Sequence, residues 1–486
     1  MPKNILIFSD GTGQMGGQRP DQRLSNIYKM YRAMRPGSDS SIKPSEQYAF
    51  YDPGLGAGEV DGITFKKTRN MLEAAVGTGI DENVIDCYQA IISSYEPGDR
   101  ICIFGFSRGA YTARAVTNVL NLCGVPTQMP DGTPIPRYGN KLRKIASDAV
   151  KYVYNHGAGS KRSQYEEERE EKARRFRTKY KSNAEGEKAH EQGNVQPTFV
   201  GVFDTVAALG SLTANILVLS VTLILSVFTV ASFLYDWHWA LKILLSVSTV
   251  TTFYWLYISL IGQIKYFSPN SNKTLRFKNP SDWIAIWKNS HWAVWKQKHY
   301  DRYLDSDVQY ARHALAIDEQ RASFPRVKWG SKKEMDKTKG REFDWLKQYW
   351  FAGCHSDIGG SYPETESRLS DIALQWMVNE LKECVPEVQI LDEKLVTSPD
   401  PLSLQHEERF IFSLGFIRKR WLKKAREVNG GPLHETVLQR LGASIVPQMD
   451  EMKPYRPSSL ADHPEAKDFY RITEEKLKDS EVNKSI

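Results

Sequence analysis

A serine between two glycines is the most chemically suggestive feature of the chain. The stretch Arg100–Arg114 reads RICIFGFSRGAYTAR, with the pattern G-x-S-x-G from Gly105 to Gly109 around Ser107. Apolar and β-branched residues before the motif predict a strand, and the spacing of apolar residues from Ala110 to Leu120 predicts a helix. A strand that becomes a helix at one residue needs small neighbours two positions away on each side, and it exposes that residue's hydroxyl. The pattern therefore predicts Ser107 as a nucleophile; the alternative is a structural serine at a bend.

A general base and an acid are expected at the ends of other strands. An apolar run ends at His355, and the DIGG sequence that follows allows a tight turn, while Asp204 follows the apolar run PTFVGVF. The order Ser107, Asp204, His355 is that of the nucleophile, acid and histidine in α/β-hydrolases, where the histidine accepts the serine proton and the acid fixes its tautomer. Asp357 is the alternative acid, unless it only caps the loop.

Two N–H groups are expected to stabilise the oxyanion that forms in such a reaction. Arg108, the residue after the nucleophile, supplies one of them. The loop SDGTG after the first predicted strand is the candidate for the other, with Gly11 and Thr12 as donors and Asp10 as the residue that braces the loop. An ordinary strand-to-helix turn is the alternative interpretation of this loop.

A metal site is a second interpretation of the acidic residues. Asp10, Asp52, His355 and Asp357 carry groups that bind metals, but no two of them stand at a spacing typical of metal ligands. The sequence therefore predicts no catalytic metal and no other cofactor.

Predicted strands and helices alternate along much of the chain. Strands are predicted in KNILIFS, EQYAFYD, RICIFGF, PTFVGVF and WLKQYWF, and a helix in GIDENVIDCYQAIISSY. This alternation predicts an α/β fold with a mainly parallel sheet and helices on both faces. The reactive residues follow the strands, and open α/β sheets bind their ligands at the carboxyl ends of strands.

Two long apolar segments interrupt this pattern. Leu212–Tyr235 and Ile243–Ile264 contain no charged residue, and each is long enough to cross a hydrocarbon layer of about 30 Å. Trp237 and Trp239 in the connector suit a membrane interface, and basic residues after the second segment favour a cytoplasmic location for that end. Residues 212–264 are therefore predicted to form a transmembrane hairpin inserted in the fold; the alternative is a buried hairpin in a soluble cap domain.

The distribution of charge indicates the kind of partner. The net charge is +7, and the basic stretch Arg418–Arg426 favours an anionic membrane surface over nucleic acid. The segment Ser281–Tyr303 mixes tryptophan with lysine, as in a helix that lies among lipid headgroups, although ordinary packing is an equal alternative. Residues Lys161–Glu191 carry mixed charges typical of a solvated helix or connector. Five scattered cysteines and no secretory signal indicate reduced thiols.

These features divide the chain into segments. Residues 1–136, 195–211 and 305–385 are predicted to build the hydrolase domain. Residues 137–194 form the charged connector, 212–264 the hairpin and 265–304 the Trp-rich interfacial segment. Residues 386–486 carry no chemistry that the sequence identifies.

The motifs together resemble a known family. FSDGTG, FYDPGLGAG, PGDRICIFGFSRGAYTAR, GVFDTVAALG, ALAIDEQRASF and FAGCHSDIGGSY, in this order, resemble the α/β-hydrolase domain of type VI secretion phospholipase effectors of the first Tle family, otherwise an uncharacterised hydrolase domain of bacteria and fungi. The resemblance covers most of the chain from Pro2 to about Met377. It implies a triad of Ser107, Asp204 and His355, hydrolysis of phospholipid acyl esters and no catalytic metal.

Sequence and resemblance together predict a serine esterase anchored at the cytoplasmic side of a bacterial inner membrane, with membrane phospholipids as substrate. If the protein is an effector, an immunity or delivery protein is a further expected partner; an oligomer stays open. Two alternatives remain: a serine deacylase or thioesterase for another acyl substrate, and a catalytically dead membrane scaffold.

Overall fold

The computed structural model describes residues 2–11, 14, 16–17, 23–54, 79–186, 191–206, 212–270, 275, 279–293, 303–341, 343–408, 410–414 and 417–471. Of the predicted site residues, Thr12 lies outside this description, and the resemblance motif that begins at Phe50 lies partly outside it.

A parallel sheet of six strands forms the centre of the described fold. Its strands lie in the order β2-β1-β3-β4-β7-β8, and every neighbouring pair is parallel. They are β1 (Asn4–Ser9), β2 (Gln47–Asp52), β3 (Arg100–Phe106), β4 (Phe199–Phe203), β7 (Tyr310–Ala316) and β8 (Leu346–Phe351). The predicted α/β class and mainly parallel sheet are confirmed.

Alternating apolar residues explain why both faces of the sheet are covered. In β1, Ile5 and Ile7 belong to one hydrophobic core, whereas Leu6 and Phe8 belong to another on the opposite face. Successive side chains of a strand point to opposite faces, so a strand that is apolar throughout requires helices on both sides. The fold therefore has three layers, with the sheet in the middle.

The helices divide between these two faces. The first face is covered by α2 (Gly79–Ser94), α3 (Arg108–Cys123), α4 (Gly139–Asp148) and α5 (Glu166–Tyr180), and the second by α1 (Asn26–Met34) and α11 (Arg368–Cys384). The charged connector contributes α4 and α5, which bury Leu142, Ala173 and Phe176 in the first core. The charged connector is therefore packed on the sheet domain and is also exposed to solvent.

Strand β7 was not identified as a strand in the sequence. Its centre carries Arg312 and His313, both fully buried, and these polar residues break the apolar pattern. Arg312 is accommodated because its guanidinium binds Glu380 of α11 and the carbonyl oxygens of Ala311 and Asp344. Charged residues are rarely buried without such partners.

The inserted segment forms two adjacent helices, α6 (Leu212–Leu234) and α7 (Trp239–Gln263). Thr229 Oγ1 and Thr249 Oγ1 lie 2.8 Å apart and join the two helices. Large apolar side chains remain exposed along both, including Leu223, Phe233, Leu244 and Val250. They do not enter the cores of the sheet, so the described side chains do not support a hairpin buried in a cap domain.

The prediction of a hairpin with two membrane-spanning helices is not supported. Among the described residues, the helix Trp239–Gln263 is long and apolar enough to cross a membrane. Its most apolar stretch has a mean hydropathy of 1.5 and is not buried in the protein. Leu219–Leu234 is apolar but shorter. A multi-pass protein of the inner membrane is therefore not supported, because only one helix in the described part of the chain meets the length and hydropathy expected of a span.

Smaller elements follow the hairpin in the described part of the chain. They are β5 (Ile264–Tyr266), α8 (Trp283–Lys288), β6 (Ser290–Trp292), α9 (Lys332–Lys337), α10 (His355–Gly359), β9 (Phe410–Leu414), β10 (Ile417–Arg420), α12 (Glu435–Gly442), β11 (Val446–Gln448) and β12 (Glu451–Lys453). In α8, Trp283, Ile284 and Trp287 are exposed.

The C-terminal region packs on the sheet domain. Val428, Leu433, Val437 and Tyr455 share a core with Trp350 of β8. The backbone N–H of Trp350 also donates to the Pro432 carbonyl. The region that carried no identifiable chemistry in the sequence is therefore attached to the edge strand of the central sheet.

Candidate active site

Ser107 stands at the turn between β3 and α3 with a strained backbone. Its φ is 60° and its ψ −120°, a conformation that residues other than glycine rarely adopt. A Cβ atom at Gly105 would lie 2.3 Å from the Gly109 carbonyl oxygen, and one at Gly109 would lie 2.1 Å from the Ser9 carbonyl oxygen. The two glycines are therefore required by close backbone contacts, as the G-x-S-x-G spacing predicts.

The sheet register brings Asp204 next to this turn. Phe106 and Phe203 are paired residues of β3 and β4, so Ser107 and Asp204 each follow the last residue of neighbouring strands. The Ser107 N–H donates to the Phe203 carbonyl oxygen at 3.1 Å. Asp204 also has a positive φ, of 38°, and its N–H donates to the Ala314 carbonyl of β7.

The Asp204 carboxylate is fully buried and has three kinds of partner. Its Oδ2 lies 2.5 Å from His355 Nδ1, and the Ala316 N–H donates to its Oδ1 at 3.1 Å. Arg426 binds both oxygens through its two terminal nitrogens. Burial would raise the pKa of Asp204, but the charge of Arg426 and the hydrogen bonds from His355 and Arg426 hold this pKa well below its usual range.

His355 begins the short helix α10, where its ring is held between aromatic side chains. The ring centroid lies 4.7 Å from that of Phe106 and 5.3 Å from that of Phe324. Its backbone N–H donates to Glu319 Oε2 at 3.3 Å. Nδ1 faces Asp204, whereas Nε2 is buried and has no hydrogen-bond partner among the described residues. The nitrogen that could accept a proton is thus available.

The loop after β1 approaches the same turn. A Cβ atom at Gly11 would lie 3.4 Å from Ser107 Cβ, which places the Gly11 backbone beside the serine. The Gly11 N–H donates to Asp10 Oδ1 at 2.7 Å, however, so this donor is already engaged. Asp10 also accepts hydrogen bonds from Ser25 and Tyr51, and burial raises its pKa to about 6. Asp10 braces the loop as expected, while Gly11 would serve an oxyanion only after losing this bond.

Arg108 supplies the first N–H of α3. The first N–H groups of a helix have no partner within it and point out of its end. The guanidinium of Arg108 is partly exposed, and burial lowers its pKa to about 10. The Arg108 N–H therefore has no partner within α3, and its role as an oxyanion donor stays a prediction.

Asp357, the alternative acid, has other partners. Its Oδ2 accepts the N–H groups of Cys354 and His406, each at 3.0 Å, and its Oδ1 lies 2.8 Å from His406 Nδ1. It caps α10 and anchors the C-terminal region there. The structure thus pairs Asp204, and not Asp357, with the His355 ring.

The residues considered as metal ligands do not converge. Asp52 accepts hydrogen bonds from Ser9 and Asn83, and burial raises its pKa to about 7. Asp10, His355 and Asp357 each have separate partners, as described above. The carboxylates of Asp10, Asp52 and Asp357 accept hydrogen bonds within the protein, so the geometry favours structural roles for them.

Arg426 is the functional residue that the sequence did not reveal. It lies in the basic stretch interpreted as a membrane-binding surface, yet it is buried with 8% of its surface exposed. It is separated from Asp204 by 222 residues, and no spacing in the sequence links the two. The expectation that this basic stretch faces an anionic membrane surface does not hold for Arg426, which is buried.

The comparison with a family model confirms the resemblance. The family model described as the catalytic domain of Tle1-like phospholipase effectors of type VI secretion matches residues 3–237 and 273–380, more than half of the chain. An uncharacterized protein of Saccharomyces cerevisiae is 32% identical over 130 residues, which are 25% of this chain and 18% of that protein. A crystal structure of an uncharacterized protein from Pseudomonas aeruginosa aligns with a TM-score of 0.32 and 16% identity, over 82% of this chain and 48% of that one.

Removal of the Arg426 charge is expected to destabilise the protein strongly. In Arg426→Met the Asp204 carboxylate stays buried without its counter-ion, and breaking a buried pair in this way costs about 3–5 kcal/mol. Denaturant unfolding measures the loss. Lys423→Met, which removes an exposed ion pair with Glu407, is the control and should change stability by less than about 1 kcal/mol. In the double variant Arg426→Met with Asp204→Asn, part of the lost stability should return. A double variant as unstable as Arg426→Met would contradict the role of Arg426 as the counter-ion of Asp204.

The His406 contact is expected to make stability depend on pH. Burial alone would lower the pKa of His406, but Asp357 and Glu366 raise it above the ordinary value. The folded state therefore binds the His406 proton more tightly than the unfolded state does. The resulting stabilisation of the fold is complete below the unfolded pKa of about 6.5 and is lost as pH rises through the folded pKa. The stability difference between wild type and His406→Gln should shrink as pH increases.

A histidine with the opposite shift provides the control for this measurement. Burial lowers the pKa of His434. The unfolded state then binds the proton more tightly, and the difference between wild type and His434→Gln should move in favour of wild type as pH rises. The same trend for both variants in urea unfolding at a series of pH values would refute the role of the Asp357 contact.

Proposed function

We propose a serine phospholipase, since the chain belongs to the family of Tle1-like catalytic domains of type VI secretion phospholipase effectors. The family implies a hydrolase. The proposal goes further and assigns Ser107, His355 and Asp204 to a triad that cleaves acyl esters of glycerophospholipids. The observation that supports it is the contact between His355 Nδ1 and Asp204 Oδ2, with Nε2 left free of partners among the described residues.

The reaction follows from the roles of these groups. Ser107 Oγ attacks the ester carbonyl carbon, and His355 Nε2 accepts the serine proton. The imidazolium that forms is stabilised by the buried Asp204 carboxylate, which keeps its negative charge because Arg426 lowers its pKa. The proton passes to the departing lysophospholipid oxygen, and an acyl-enzyme remains. Water, deprotonated by His355, then releases the fatty acid and restores Ser107.

Oxyanion stabilisation is assigned to the start of α3 and the loop after β1. The Arg108 N–H is one donor, since it follows the nucleophile directly. The second donor is assigned to the loop with Gly11 and Thr12. The Gly11 backbone lies beside Ser107, and its N–H must release Asp10 Oδ1 before it can serve as this donor. Two such donors stabilise charge that develops in the transition state, and loss of one typically reduces the rate about 10²- to 10³-fold.

The hairpin is proposed as the part that contacts lipid. Exposed apolar surfaces as extended as those of α6 and α7 mark a surface that is normally covered. The hairpin begins after β4 and its chain returns to β7, and these two strands are paired in one sheet. A single crossing would place the two strands on opposite sides of the membrane, so the helices enter the bilayer together or lie on it together.

Of the two helices, α7 has dimensions that suit a membrane span. At 1.5 Å per residue its 25 residues extend roughly 38 Å, against a hydrocarbon layer of about 30 Å, whereas the apolar helix Leu219–Leu234 within α6 is shorter. The Thr229–Thr249 hydrogen bond is a contact of the kind that joins helices in lipid. The exposed Trp283 and Trp287 of α8 suit the adjacent interface. As an effector, the protein would also have an immunity protein as partner.

Loss of the Ser107 hydroxyl is expected to abolish lipid cleavage. Ser107→Ala removes the nucleophile, and substitutions of this kind lower the rate about 10⁴-fold or more. The measurement is mass spectrometry of fatty acids and lysophospholipids released from mixed phospholipid vesicles. Ser94→Ala, whose hydroxyl bonds only within α2, is the control and should match wild type. Labelling of Ser107 by a fluorophosphonate without release from any phospholipid would refute the phospholipase and favour a deacylase for other acyl substrates.

Charges on the hairpin are expected to separate lipid cleavage from ester cleavage. Leu223→Glu combined with Val247→Glu places carboxylates on apolar surface that is exposed in the structure. Hydrolysis of vesicle phospholipid should fall at least tenfold, since charges in the bilayer cost about 2.5–3.5 kcal/mol each, while hydrolysis of a short soluble ester should persist.

The same positions provide the control for the hairpin. Leu223→Ala with Val247→Ala keeps the surface apolar, and Val396→Glu places a charge on exposed apolar surface elsewhere. Both variants should cleave vesicles at nearly the wild-type rate. Equal losses on vesicles and on the soluble ester in the glutamate variant would show that the hairpin supports the fold and does not deliver lipid.

A further inference from the structure

Two lysines from separate parts of the chain lie near each other at the base of the hairpin. Lys265 lies in β5, which begins directly after α7, and Lys172 lies in α5 on the sheet domain. In the pairing of β5 with β6, His291 is opposite Lys265. His291 Nε2 donates to the His156 carbonyl oxygen at 2.6 Å, and Lys172 Nζ donates to His156 Nδ1 at 2.8 Å. These contacts join the hairpin base to α5, and we call Lys172 and Lys265 the basic pair.

The described hydrogen bonds of the basic pair are made to neutral acceptors. Lys172 donates to the imidazole of His156, whose Nε2 carries the proton that Glu168 Oε2 accepts at 2.6 Å. Burial is the main reason why the pKa of His156 falls to about 2, so this ring is uncharged. Lys265 Nζ donates to the Gly262 carbonyl oxygen at 2.8 Å. An ammonium has three N–H groups, so each lysine keeps N–H groups for a further acceptor.

Positive charge predominates around the basic pair. Burial, together with the charges of Lys265 and Arg175, lowers the pKa of Lys172 to about 7, although the Glu168 carboxylate opposes this shift. Burial also lowers the pKa of Lys265, and the Asp81 carboxylate opposes that shift only in part. Among the described residues, no carboxylate lies within 4 Å of either ammonium. A cation that is partly buried among other cations is stabilised by an anion, so the pair can accept an external counter-ion.

The position of the basic pair identifies the anion. Lys265 lies just beyond the end of α7, one of the two helices that the proposed function places in contact with lipid. Directly before β6, α8 exposes Trp283 and Trp287, which suit the interface between hydrocarbon and water. The phosphates of lipids lie in this interfacial layer. Basic pockets beside membrane helices bind the head groups of anionic lipids, so a lipid phosphate is the anion that fits.

We propose that the basic pair binds the phosphate of an anionic phospholipid head group. The phosphate accepts hydrogen bonds from both ammonium groups and joins Lys265 at the hairpin base to Lys172 on the sheet domain. This site is separate from the triad and takes no part in ester cleavage. It rests on the proposed contact between the hairpin and lipid, and it orients the hairpin on an anionic membrane.

Retention of lipid by the full chain tests the proposal. The Ser107→Ala variant, which preserves bound phospholipid, is purified in nonionic micelles with equal amounts of phosphatidylglycerol and phosphatidylcholine, and mass spectrometry measures the retained lipids. Phosphatidylglycerol should be enriched at least about fivefold, since one basic residue near an anionic lipid contributes roughly this factor. In the same background, Lys172→Gln combined with Lys265→Gln should lower the enrichment to near one.

A change at Glu168 should act in the opposite direction. Glu168→Gln removes a carboxylate charge that repels an anion, while the amide oxygen can still accept the His156 N–H. The enrichment of phosphatidylglycerol should therefore rise above that of the Ser107→Ala background. An enrichment that does not rise would show that the anion binds elsewhere.

A matched variant removes the same amount of charge from other places. Lys179→Gln combined with Lys242→Gln neutralises an exposed lysine of α5 and a lysine near the start of α7 that pairs with Asp236. This variant should enrich phosphatidylglycerol as Ser107→Ala alone does. Equal retention of the two lipids by Ser107→Ala, or an equal loss of enrichment in both lysine double variants, would overturn the proposal.

Soluble glycerol phosphate distinguishes a lipid head group from free phosphate. When it is added at the concentration of phosphatidylglycerol, the retained lipid should stay unchanged. Displacement of the lipid would show that the site binds free phosphate and would overturn the lipid assignment. Because all these variants lack the Ser107 hydroxyl, none of the outcomes depends on whether the triad cleaves phospholipid.

Discussion

The buried charge of Asp204 is the constraint on which the rest of the site depends. A carboxylate with no exposed surface loses several kcal/mol of hydration, and this cost must be offset by partners that are also fixed. Here the partners come from distant parts of the chain: the Ala316 N–H at the end of β7, His355 at the start of α10 and Arg426 in the C-terminal region. The charge therefore holds the carboxyl edge of the sheet, the histidine and the C-terminal region in one arrangement.

This arrangement explains why two residues keep unfavourable backbone conformations side by side. Ser107 and Asp204 both have positive φ, and conformations of this kind cost about 1–3 kcal/mol each unless the surroundings enforce them. The Ser107 turn is enforced by the close approach of Gly109 to Ser9, and the Asp204 turn by its hydrogen bonds to β7 and Arg426. The strain is concentrated where two neighbouring strands end, next to His355.

Local patterns in the sequence predicted the parts of this site that depend on local structure. The spacing of Gly105, Ser107 and Gly109 is a property of one turn, and it identified the elbow correctly. Arg426 could not be found in this way, because its partner is 222 residues away and a basic stretch looks the same whether it faces solvent or a buried carboxylate. Strand β7 was missed because Arg312 is satisfied by Glu380, a contact between strand and helix that periodicity does not encode.

The apolar hairpin shows a second limit of sequence patterns. A helix that is apolar on all sides is typical both of a membrane and of a protein core, so composition alone does not choose between them. The exposed apolar side chains of α6 and α7 argue against a place in the core of the sheet domain, and the pairing of β4 with β7 shows that the chain returns to the same sheet. The chain leaves the sheet at Asp204 and enters α6 at Leu212. The acid of the proposed triad and the proposed lipid contact are thus separated by only a few residues of the chain.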